Sequence, residues 1–475
     1  MPPMTGALQH RIFKVVAEVA ETLQMEAYVV GGYVRDIYLN RPSKDVDFTV
    51  IGDGITFATA VAEKLGDGAN VKVFKNFGTA MINTEDWDIE FVGARKESYS
   101  SESRKPLVEP GSFMDDLSRR DLTINAMAIS MNKADFGEVT DVFNGREDLE
   151  KGIIRTPLAP DITFSDDPLR MMRSIRFATQ LNFQLHPETF EGIKANASRI
   201  SIVSMERITD ELNKIIATSK PSTGFKLLFD TGLLHLFFPE FTLLHGVESV
   251  NGWSHKDNFY HTIQVLDNLC QYSDDLWLRW SALLHDIAKP QTKRFIPGEG
   301  WTFHGHEDKG ARMVKGIFKK LRLPLNEKMK FVEKMVLLHL RPIVLSQEIV
   351  TDSAVRRLIF DAGEDIDSLL KLCRADITSK NEFKVKKFLN NLQIVEDKIK
   401  DVEERDRVRS WQPPVDGNEI MELFGISAGR EIGILKNALR ESILDGEIKN
   451  DRDEALDFII KKGKEIGLTP VMQKS

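Results

Sequence analysis

The sequence predicts an α+β domain followed by helical domains. Up to about residue 143, short runs rich in β-branched and aromatic residues, such as VDFTVI and WDIEFVG, alternate with helical or loop segments, which is typical of a sheet combined with helices. From about residue 166 onward, apolar residues recur at the spacing of an α-helix. With 475 residues, of which 42% are hydrophobic, the chain is long enough for several hydrophobic cores.

The individual elements follow from local patterns. Residues 7–24 alternate apolar and polar side chains at helical spacing and predict an amphipathic helix. The segment 94–113 is polar and contains two prolines, which indicates a long mobile loop. A second helical region begins near Asn258 and continues to about residue 390, with a loop predicted at 289–306, where Pro, Gly and aromatic residues cluster. The remainder is helical and breaks near 412–420.

Composition excludes several classes of protein. The two cysteines, Cys270 and Cys373, are too few for a disulfide framework or a cysteine-based zinc site, which fits a reducing compartment. No stretch approaches the ~20 apolar residues of a membrane span, and the first residues lack the apolar core of a secretory signal. We therefore expect a soluble, cytoplasmic protein that does not bind membranes.

Paired glycines and paired aspartates lie close together near the start of the chain. Asp45 and Asp47, two residues apart in a predicted strand, share one face, where a metal ion is the simplest compensation for their repulsion. Carboxylates at this spacing suit Mg²⁺, which also takes phosphate and water as ligands. Gly31 and Gly32 allow the backbone to approach a phosphate, and Arg35 is a further phosphate contact. The pattern predicts metal-assisted phosphoryl or nucleotidyl transfer.

A third acidic ligand is expected on a neighbouring strand. Asp88 and Glu90 repeat the two-residue spacing, and Glu90 is preferred because apolar residues flank it on both sides. Asp88 remains the alternative. For the whole pattern, the alternative interpretation is a simple glycine turn with aspartates that cap a strand end.

Two later segments carry side chains suited to a nucleotide. Arg120, Asp121 and Asn125 precede an apolar run and suit a ribose hydroxyl and a phosphate. In a helix, Asp167 and Arg170 at i and i+3 project to one side. The carboxylate then accepts from an exocyclic amine and the guanidinium donates to the base, which suits cytosine or adenine. The alternative is an ordinary ion pair at a helix start.

In their order, these motifs resemble the class II tRNA nucleotidyltransferases over about residues 25–240. Those are the CCA-adding enzymes of the polymerase-beta superfamily, with bacterial poly(A) polymerases as relatives. The motifs are GGxxRD, DxD, RRDLTINA, DVFNG, DDPLR with RFA, and SMERI. The resemblance implies an α+β, polymerase-beta-like nucleotidyltransferase head followed by an all-α neck and body.

The resemblance also implies roles for individual residues. Asp45 and Asp47 would bind the catalytic metals, and Arg120, Asp121 and Asn125 would lie at the ribose. Asp167 and Arg170 would serve as a protein template for CTP or ATP, with Arg173 and Arg176 near the nucleotide. Glu206 and Arg207 would orient the template helix. The segment 103–106 matches the loop that such enzymes use to switch from C to A. One departure is Asp166, where the family usually has Glu, so the support of the template pair differs here.

Histidines concentrate in the second helical region. Six of the ten histidines fall between residues 255 and 339. A lone histidine on an apolar helix is usually structural. Several such positions together with an adjacent His–Asp pair indicate a divalent metal site, because imidazole and carboxylate are suitable ligands. The candidates are His261, His285, Asp286, His304 or His306, His339 and Asp376.

The order H…HD…H…H…D resembles the HD superfamily of metal-dependent phosphohydrolases over about residues 255–380. The resemblance implies an all-α domain that binds Mn, Ni, Co, Fe or Mg, with Asp286 bridging two ions, and that acts as a phosphomonoesterase or phosphodiesterase. His306 is preferred to His304 because it opens a helical segment, although His304 stays open. The alternative is an HD scaffold that serves only for packing.

Together the patterns predict four regions and one leading function. The regions are a nucleotidyltransferase head at 1–150, a helical neck and body that carries the nucleotide template and binds RNA at 151–250, an HD domain at 251–390, and a tRNA-binding helical tail at 391–475. The leading interpretation is template-independent addition of CCA to tRNA from CTP and ATP, with no protein partner. The alternatives are a poly(A) polymerase, an enzyme that adds only C or only A, and a nucleotide-responsive HD phosphohydrolase.

Contacts with RNA must rely on local basic patches, because the formal net charge of the chain is -8. The candidate patches are 103–106, Arg119 with Arg120, 315–322 and 380–388. Each is equally compatible with a solvated helix face.

Overall fold

The computed structural model describes most of the 475-residue chain. The described residues are 4–66, 69–74, 78–84, 87–100, 103–346, 351–379, 381–406 and 413–471, and the side chains of 96–100, 103–108 and 406 are outside the description. The chain forms two compact units. The first comprises Met1–Leu243 with Lys320–Leu323, and the second comprises Leu244–Lys319 with Pro324–Ser475.

The first unit combines strands with helices. Its strands are β1 (Ala27–Val30), β2 (Asp45–Val50), β3 (Asn70–Phe74), β4 (Thr79–Asn83), β5 (Asp88–Gly93), β6 (Arg95–Ser100), β7 (Ser103–Pro110), β8 (Ala128–Ser130), β9 (Val139–Thr140), β10 (Ile153–Ile154) and β11 (Gln184–Leu185). Its helices are α1 (Arg11–Leu23), α2 (Gly32–Tyr38), α3 (Gly54–Leu65), α4 (Phe113–Ser118), α5 (Gly145–Lys151), α6 (Pro160–Asp166), α7 (Leu169–Leu181), α8 (Pro187–Asn196), α9 (Met205–Ile216), α10 (Pro221–Asp230), α11 (Leu233–Phe237) and α12 (Pro239–Thr242). The main sheet has the strand order β3–β4–β5–β2–β1–β8–β9.

One face of this sheet is apolar and covered by α1 and α3. Along β2, the buried Val46 and Phe48 alternate with Asp45 and Asp47, because successive side chains in a strand point to opposite faces. Phe48 stacks on Phe91 of β5 with ring centroids 4.9 Å apart. Burial of each such ring stabilises the fold by roughly 1.5–3 kcal/mol. The core therefore directs the carboxylates to the opposite face.

The predicted amphipathic helix is confirmed as α1. The side chain of His10 accepts a hydrogen bond from Ile12 N at 3.3 Å, and Gln24, with φ of 52°, ends the helix in the left-handed conformation. Phe13 and Val16 lie on its buried face. The helix thus begins and ends close to the limits of its apolar pattern.

Two segments predicted as loops contain regular structure. The prediction of a long loop at 94–113 is wrong, because β6 and β7 pair there as an antiparallel hairpin. The prolines in β7 are compatible with pairing, since each strand of a two-stranded sheet has a free edge. The segment 289–306 contains a short helix and a second hairpin, in which Phe295 faces Trp301 across the strands.

The second unit is mainly helical. Its helices are α13 (Asn258–Leu269), α14 (Leu276–Leu284), α15 (Lys289–Thr292), α16 (His306–Lys320), α17 (Glu327–Leu338), α18 (Arg341–Leu345), α19 (Asp352–Ala362), α20 (Ile366–Asp376), α21 (Glu382–Asp406), α22 (Gly417–Phe424), α23 (Arg430–Asp445) and α24 (Arg452–Glu465). Its strands are β12 (Ser249–Val250), β13 (Trp253–Ser254), β14 (Arg294–Ile296) and β15 (Gly300–Thr302). Within the described ranges, no helix combines the length and hydrophobicity needed to cross a lipid bilayer.

Candidate active site and candidate metal centre

The glycine pair lies directly against two charged side chains of the first unit. Gly31 has φ of 76°, a left-handed conformation that other residues rarely adopt. A Cβ atom at Gly31 would lie 3.0 Å from Arg120 Nη1 and 3.4 Å from Asp47 Oδ2. Gly32 then begins α2. Both the conformation and the close approach therefore require glycine at residue 31.

Acidic side chains of two strands face one side of the sheet. β2 and β5 are parallel neighbours, with Asp45 opposite Asp88 and Asp47 opposite Glu90. Burial raises the pKa of Asp47, Arg120 opposes this shift, and the charge of Asp45 adds to it. Burial and the charge of Asp47 raise the pKa of Glu90. A divalent cation would relieve this repulsion, so the side chains fit a metal site.

The two candidates for the third carboxylate have different surroundings. Asp88 is exposed, and it accepts a hydrogen bond from Asn83 Nδ2 at 2.5 Å. Glu90 is partly buried and lies opposite Asp47 in the register. These surroundings favour Glu90, as the sequence pattern does.

Asp116, a residue that the sequence analysis missed, holds two arginines in place. Its fully buried carboxylate accepts from Arg119 Nη2 at 2.6 Å, from Arg120 Nη2 at 3.1 Å and from Thr49 Oγ1 at 2.9 Å. Burial raises the pKa of Asp116, but the charges of Arg120 and Arg119 outweigh this effect and hold the pKa below its ordinary value. The spacing of Asp116 from both arginines, three and four residues, was the available signal.

Two of the three predicted ribose contacts, Asp121 and Asn125, lie in one hydrogen-bonded chain, whereas Arg120 bonds to Asp116 and Thr49. Arg35 Nη1 donates to Asn125 Oδ1 at 2.9 Å, and Asn125 Nδ2 donates to Asp121 Oδ1 at 3.1 Å. Arg173 Nε donates to the other oxygen of Asp121 at 2.7 Å. Burial raises the pKa of Asp121, but the charge of Arg173 and the Asn125 hydrogen bond lower it to about 2. Asp121 is therefore an ionised anchor for α7.

Asp167 and Arg170 do not share one helix, and that prediction is wrong. Asp167 has an extended backbone with φ of -136° and ψ of 101°, and its Oδ1 accepts from Leu169 N at 3.1 Å. Pro168 precedes α7, and a residue before proline is driven away from the helical conformation. Arg170, in the first turn of α7, is buried and donates from Nη1 to Thr163 O at 3.3 Å. The two residues remain neighbours, since Arg170 N donates to Asp167 O at 3.0 Å.

Arg176 of α7 is held by an acidic residue that the sequence analysis missed. Its Nε lies 2.6 Å from Oε2 of the buried Glu211, and its guanidinium carbon lies 4.0 Å from the centre of the Phe177 ring. Glu206, on the same helix as Glu211, is exposed and lies 3.6 Å from Arg322 Nε. Burial distinguishes these glutamates, and the charged sequence of α9 gave no signal of it.

The structure brings the six predicted ligands of the second unit together near helix ends. They are His261 in α13, His285 and Asp286 directly after α14, His306 at the start of α16, His339 directly after α17, and Asp376 at the end of α20. His304 is exposed, whereas His306 is buried beside Asp286, so the position of His306 agrees with the preferred ligand.

Asp286 is the common neighbour of the histidines. Its carboxylate oxygens lie 3.5 Å from Nε2 of His261, 3.3 Å from Nε2 of His285, 3.2 Å from Nε2 of His306 and 4.0 Å from Nε2 of His339. The donor atoms form two groups, one with His261 and His285 and one with His306 and His339, and both include Asp286. Asp376 Oδ1 lies 3.0 Å from His261 Nε2. This is the arrangement expected of a bridging carboxylate.

Backbone carbonyls fix three of the imidazoles. Nδ1 of His285, His306 and His339 faces the carbonyl three residues earlier at 2.7, 2.8 and 2.7 Å. A carbonyl only accepts, so Nδ1 carries the proton and Nε2 is directed to the cluster. These Nε2 atoms are buried, and no described group makes a hydrogen bond with them. Buried imidazole nitrogens without a hydrogen bond are suitable ligands for a divalent metal.

The charges of the cluster favour a cation between its carboxylates. Burial lowers the pKa of His285, but Asp286 and Asp376 outweigh this effect and raise it to about 10. Burial and the charge of His285 lower the pKa of His339 to about 3. Positive charge is therefore drawn to the position between Asp286 and Asp376, which suits a metal ion.

Two polar neighbours of this cluster were missed. Lys289 Nζ donates to Asp286 Oδ2 at 2.6 Å, and Thr378 Oγ1 lies 2.9 Å from His261 Nδ1. The spacing of three residues between Asp286 and Lys289 was a signal for the first contact. No sequence pattern indicated the second.

Three family models match the chain. They are a "Poly A polymerase head domain" at residues 27–155, a "Probable RNA and SrmB- binding site of polymerase A" at 182–244, and an "HD domain" at 258–381. These matches confirm the predicted fold class, a nucleotidyltransferase head followed by helical regions and an HD domain. Head and HD families generally use divalent metals, which agrees with the clustered carboxylates and imidazoles.

Relatives with curated names extend this result. The "Multifunctional CCA protein" of Nitrosococcus oceani is 34% identical over 308 residues, which are 63% of this chain and 71% of the relative. The "A-adding tRNA nucleotidyltransferase" of Deinococcus radiodurans is 30% identical over 450 residues, which are 92% of this chain and 96% of the relative. A solved tRNA nucleotidyltransferase complexed with a primer tRNA and an incoming ATP analogue is 25% identical, with a TM-score of 0.58, and the match covers 80% of this chain and 99% of that structure. With its motifs, fold and near full-length similarity, the chain belongs to the tRNA nucleotidyltransferase family.

Proposed function

We propose that this protein adds the CCA terminus to the 3′ end of tRNA, using CTP and ATP and no nucleic-acid template. The observation that carries the proposal is the set of carboxylates on β2 and β5, in which Asp47 lies opposite Glu90 and shares its face with Asp45. The names of the relatives and the primer tRNA in the related structure support it. These substrates are cytoplasmic, and we propose that the protein acts there.

The carboxylates would hold Mg²⁺, which neutralises phosphate charge and activates the primer hydroxyl in this chemistry. The primer oxygen forms a bond to the α-phosphorus of the nucleotide, the bond to pyrophosphate breaks, and the hydroxyl proton leaves to solvent. The turn at Gly31 would let the triphosphate approach the backbone closely, and the nearby Arg35 and Arg120 would contact its phosphates.

The remaining predicted residues would position the nucleotide. Asp121 and Asn125 hold the guanidinium groups of Arg35 and Arg173, which would border the ribose. Asp167 and Arg170 would read the base, and their backbone bond keeps them adjacent although they lie in different elements. Arg173 and Arg176 would support the nucleotide from the next two turns of α7.

The test is incorporation on a tRNA that lacks its CCA end, with labelled CTP and ATP supplied singly and together. We expect two additions of C and one of A, followed by arrest, and no addition by Asp45→Ala. Open-ended addition of A would instead identify a poly(A) polymerase. Absence of all incorporation by the unmodified protein would contradict the proposal.

An enzyme that adds only the terminal A is the second candidate. It is favoured by the relative from Deinococcus radiodurans, because that A-adding protein aligns with 92% of this chain. Two primers distinguish the candidates, one tRNA that ends before CCA and one that ends in CC. Addition of A to the second primer without addition of C to the first would replace the leading proposal with this one.

For the second unit we propose hydrolysis of phosphoesters. The six clustered ligands would hold one or two ions of Mn, Ni, Co, Fe or Mg, which supply positive charge beside the scissile phosphate. Water forms the new bond to phosphorus, the bond to the leaving oxygen breaks, and that oxygen takes a proton. Lys289 would orient the shared carboxylate of Asp286.

Metal content tests this second proposal directly. We expect elemental analysis to find bound metal in the purified or metal-reconstituted protein, and much less in Asp286→Asn. Asp308→Asn, which changes an exposed acid of α16, serves as the matched control and should retain metal. No metal in either preparation of the unmodified protein would contradict the proposal.

A further inference from the structure

Four aromatic side chains lie side by side near the candidate metal centre of the second unit. The imidazole of His255 makes edge contacts with Trp301 and Phe303, at centroid distances of 5.4 and 5.8 Å. Trp301 Nε1 donates to Trp253 O at 3.1 Å. We call Trp253, His255, Trp301 and Phe303 the aromatic wall.

Glycine at residue 300 allows the wall to form. Gly300 has φ of 88°, and a Cβ atom there would lie 2.7 Å from Cε3 of Trp253. The indole of Trp253 therefore packs on bare backbone of β15, while half of its surface, 50%, stays exposed. Trp301 and Phe303 are partly buried, and the exposed part of the Trp253 indole leaves area for a ligand.

Two contacts connect the wall to the metal ligands. The ammonium of Lys289 lies 2.6 Å from Asp286 Oδ2 and 5.5 Å from the centre of the Phe303 ring. The carbonyl of Phe303 accepts from Nδ1 of His306 at 2.8 Å. Phe303 thus contacts His306 through its carbonyl and is connected to Asp286 through Lys289.

Lysines accompany the aromatic rings. Lys256 Nζ donates to Thr378 O at 3.0 Å, and the Thr378 hydroxyl contacts His261. Lys293 lies 5.4 Å from the centre of the Trp301 ring and pairs with Glu248. Aromatic rings interleaved with lysines suit a ligand with a flat base and a phosphate, because bases stack on rings and phosphates attract ammonium groups.

We propose that the aromatic wall stacks the nucleobase of a nucleoside phosphate whose phosphate group lies at the metal centre. The inference rests on the hydrolytic function proposed above and deepens it, because it assigns Trp253 and Trp301 as specificity-determining residues. A free nucleotide and the phosphate-bearing end of an RNA share this chemistry.

A kinetic comparison tests the role of the wall with three substrates. They are 3′-AMP, a short RNA with a 3′ phosphate, and glycerol 2-phosphate, which has no base, each with the Mn²⁺-reconstituted full chain. We expect Trp301→Ala to raise KM about 5- to 100-fold for the two base-bearing substrates and to leave glycerol 2-phosphate unchanged. Trp301→Phe keeps a ring and should retain most of the affinity. Tyr272→Ala, an exposed aromatic of the same unit, should change nothing.

The changes in KM of Trp301→Ala for the three substrates distinguish base stacking from a structural role. An equal loss on glycerol 2-phosphate would show a structural role and overturn it, as would unchanged KM for both base-bearing substrates. A larger effect with the RNA than with 3′-AMP would support the proposal and identify an RNA end as the source of the ligand.

Tryptophan fluorescence tests base stacking without depending on hydrolysis. Stacking on Trp301 should quench its emission when 3′-AMP is added, and Trp301→Phe should remove that quenching. If the unmodified protein hydrolyses none of the substrates, the hydrolytic proposal fails, and quenching that depends on Trp301 still supports the wall. Without such quenching, the wall proposal is overturned.

Discussion

At the scale of single residues, the fold places the carboxylates of Asp47 and Glu90 opposite each other on neighbouring strands, where a cation would neutralise their negative charge. Their raised pKa values arise from burial first and from charge in the neighbouring strand or at Asp45 second. Apolar side chains on the other face of the sheet fix these positions, so the carboxylates do not separate. The strand register therefore keeps these carboxylates close together, and a bound cation would relieve their repulsion.

This geometry predicts which acidic residue is the third metal ligand. We expect Glu90→Gln to lower the rate of nucleotide addition about 100-fold or more, because loss of a metal ligand removes several kcal/mol of transition-state stabilisation. Asp88→Asn is the matched control on the same strand and should retain most activity, since Asp88 is exposed and bonded to Asn83. Initial rates of ATP and CTP incorporation measure both. The reverse order of losses would assign Asp88 instead.

The lowered pKa of Asp121 predicts that this residue stabilises the fold by an amount that depends on pH. Its pKa is about 2 in the folded protein and about 3.9 in an unfolded chain. Because the folded value is the lower one, the ionised carboxylate contributes stability that is complete above about pH 5 and is lost as the pH falls towards 2. The difference corresponds to about 2 to 3 kcal/mol in the free energy of unfolding.

Urea denaturation of Asp121→Asn at two pH values measures this contribution. We expect the variant to be less stable than the unmodified protein by about 2 to 3 kcal/mol at pH 7, and by about half as much at pH 3. Asp230→Asn, at an exposed site of α10, should match the unmodified protein at both values. A loss that is the same at pH 7 and pH 3 would refute the linkage.

At the scale of elements, the sequence predicted types better than boundaries. The apolar period identified α1, and the near-continuous helical pattern from residue 258 begins where α13 begins. The hairpin β6–β7 was missed because a two-stranded sheet needs no buried face, so its sequence lacks the apolar alternation that marks a strand. Asp167 was assigned to a helix because spacing alone does not register the effect of Pro168.

Helix α21 carries a basic face that predicts contact with RNA. Phe383 is 88% exposed, and Lys386 and Lys387 follow it at i+3 and i+4, so the three side chains lie on one side of the helix. In the described part of the chain, no acidic side chain pairs with either lysine. Unpaired ammonium groups beside an exposed ring suit a phosphate backbone and a base.

Salt dependence tests this face. We expect Lys386→Ala with Lys387→Ala to weaken tRNA binding and to reduce the slope of log affinity against log salt by about one for each lysine. Lys328→Ala with Lys330→Ala removes the same charge from exposed positions of α17, outside the predicted RNA-binding regions, and is the matched control. Fluorescence anisotropy at several salt concentrations gives both slopes. Equal slopes for the two double variants would exclude α21 as an RNA contact.

At the scale of the whole molecule, the two candidate sites were predictable to different depths. The six candidate ligands of the second unit could be named from the sequence, because several histidines together with an adjacent His–Asp pair are typical of a divalent metal site. The contact that Thr378 makes with His261 could not, because a contact across elements has no fixed spacing in the sequence. The same holds for Glu211 in the first unit, which pairs with Arg176 of another helix. The boundaries of the four predicted regions stay predictions.

Because the two candidate sites share no residue, we expect single substitutions to abolish nucleotide addition or hydrolysis one at a time. The acidic residues of β2 and β5 all belong to the first unit, and the six clustered ligands all belong to the second. We expect Asp45→Ala to abolish nucleotide addition and to leave the hydrolysis of 3′-AMP within about twofold of the unmodified protein, since the two sites share no residue and substitutions at unshared sites act independently.

Asp286→Ala should show the reverse pattern, with hydrolysis lost and CCA addition retained. Both reactions are measured on the same preparations, so unequal folding of a variant is detected as a parallel loss of its retained activity. Chelation followed by addition of single metals supplies an independent check. Mg²⁺ should restore nucleotide addition in Asp286→Ala, because the candidate ligands of the first unit are carboxylate oxygens, whereas no metal should restore hydrolysis there. Loss of both reactions in either single variant, with the protein still folded, would mean that one site depends on the other.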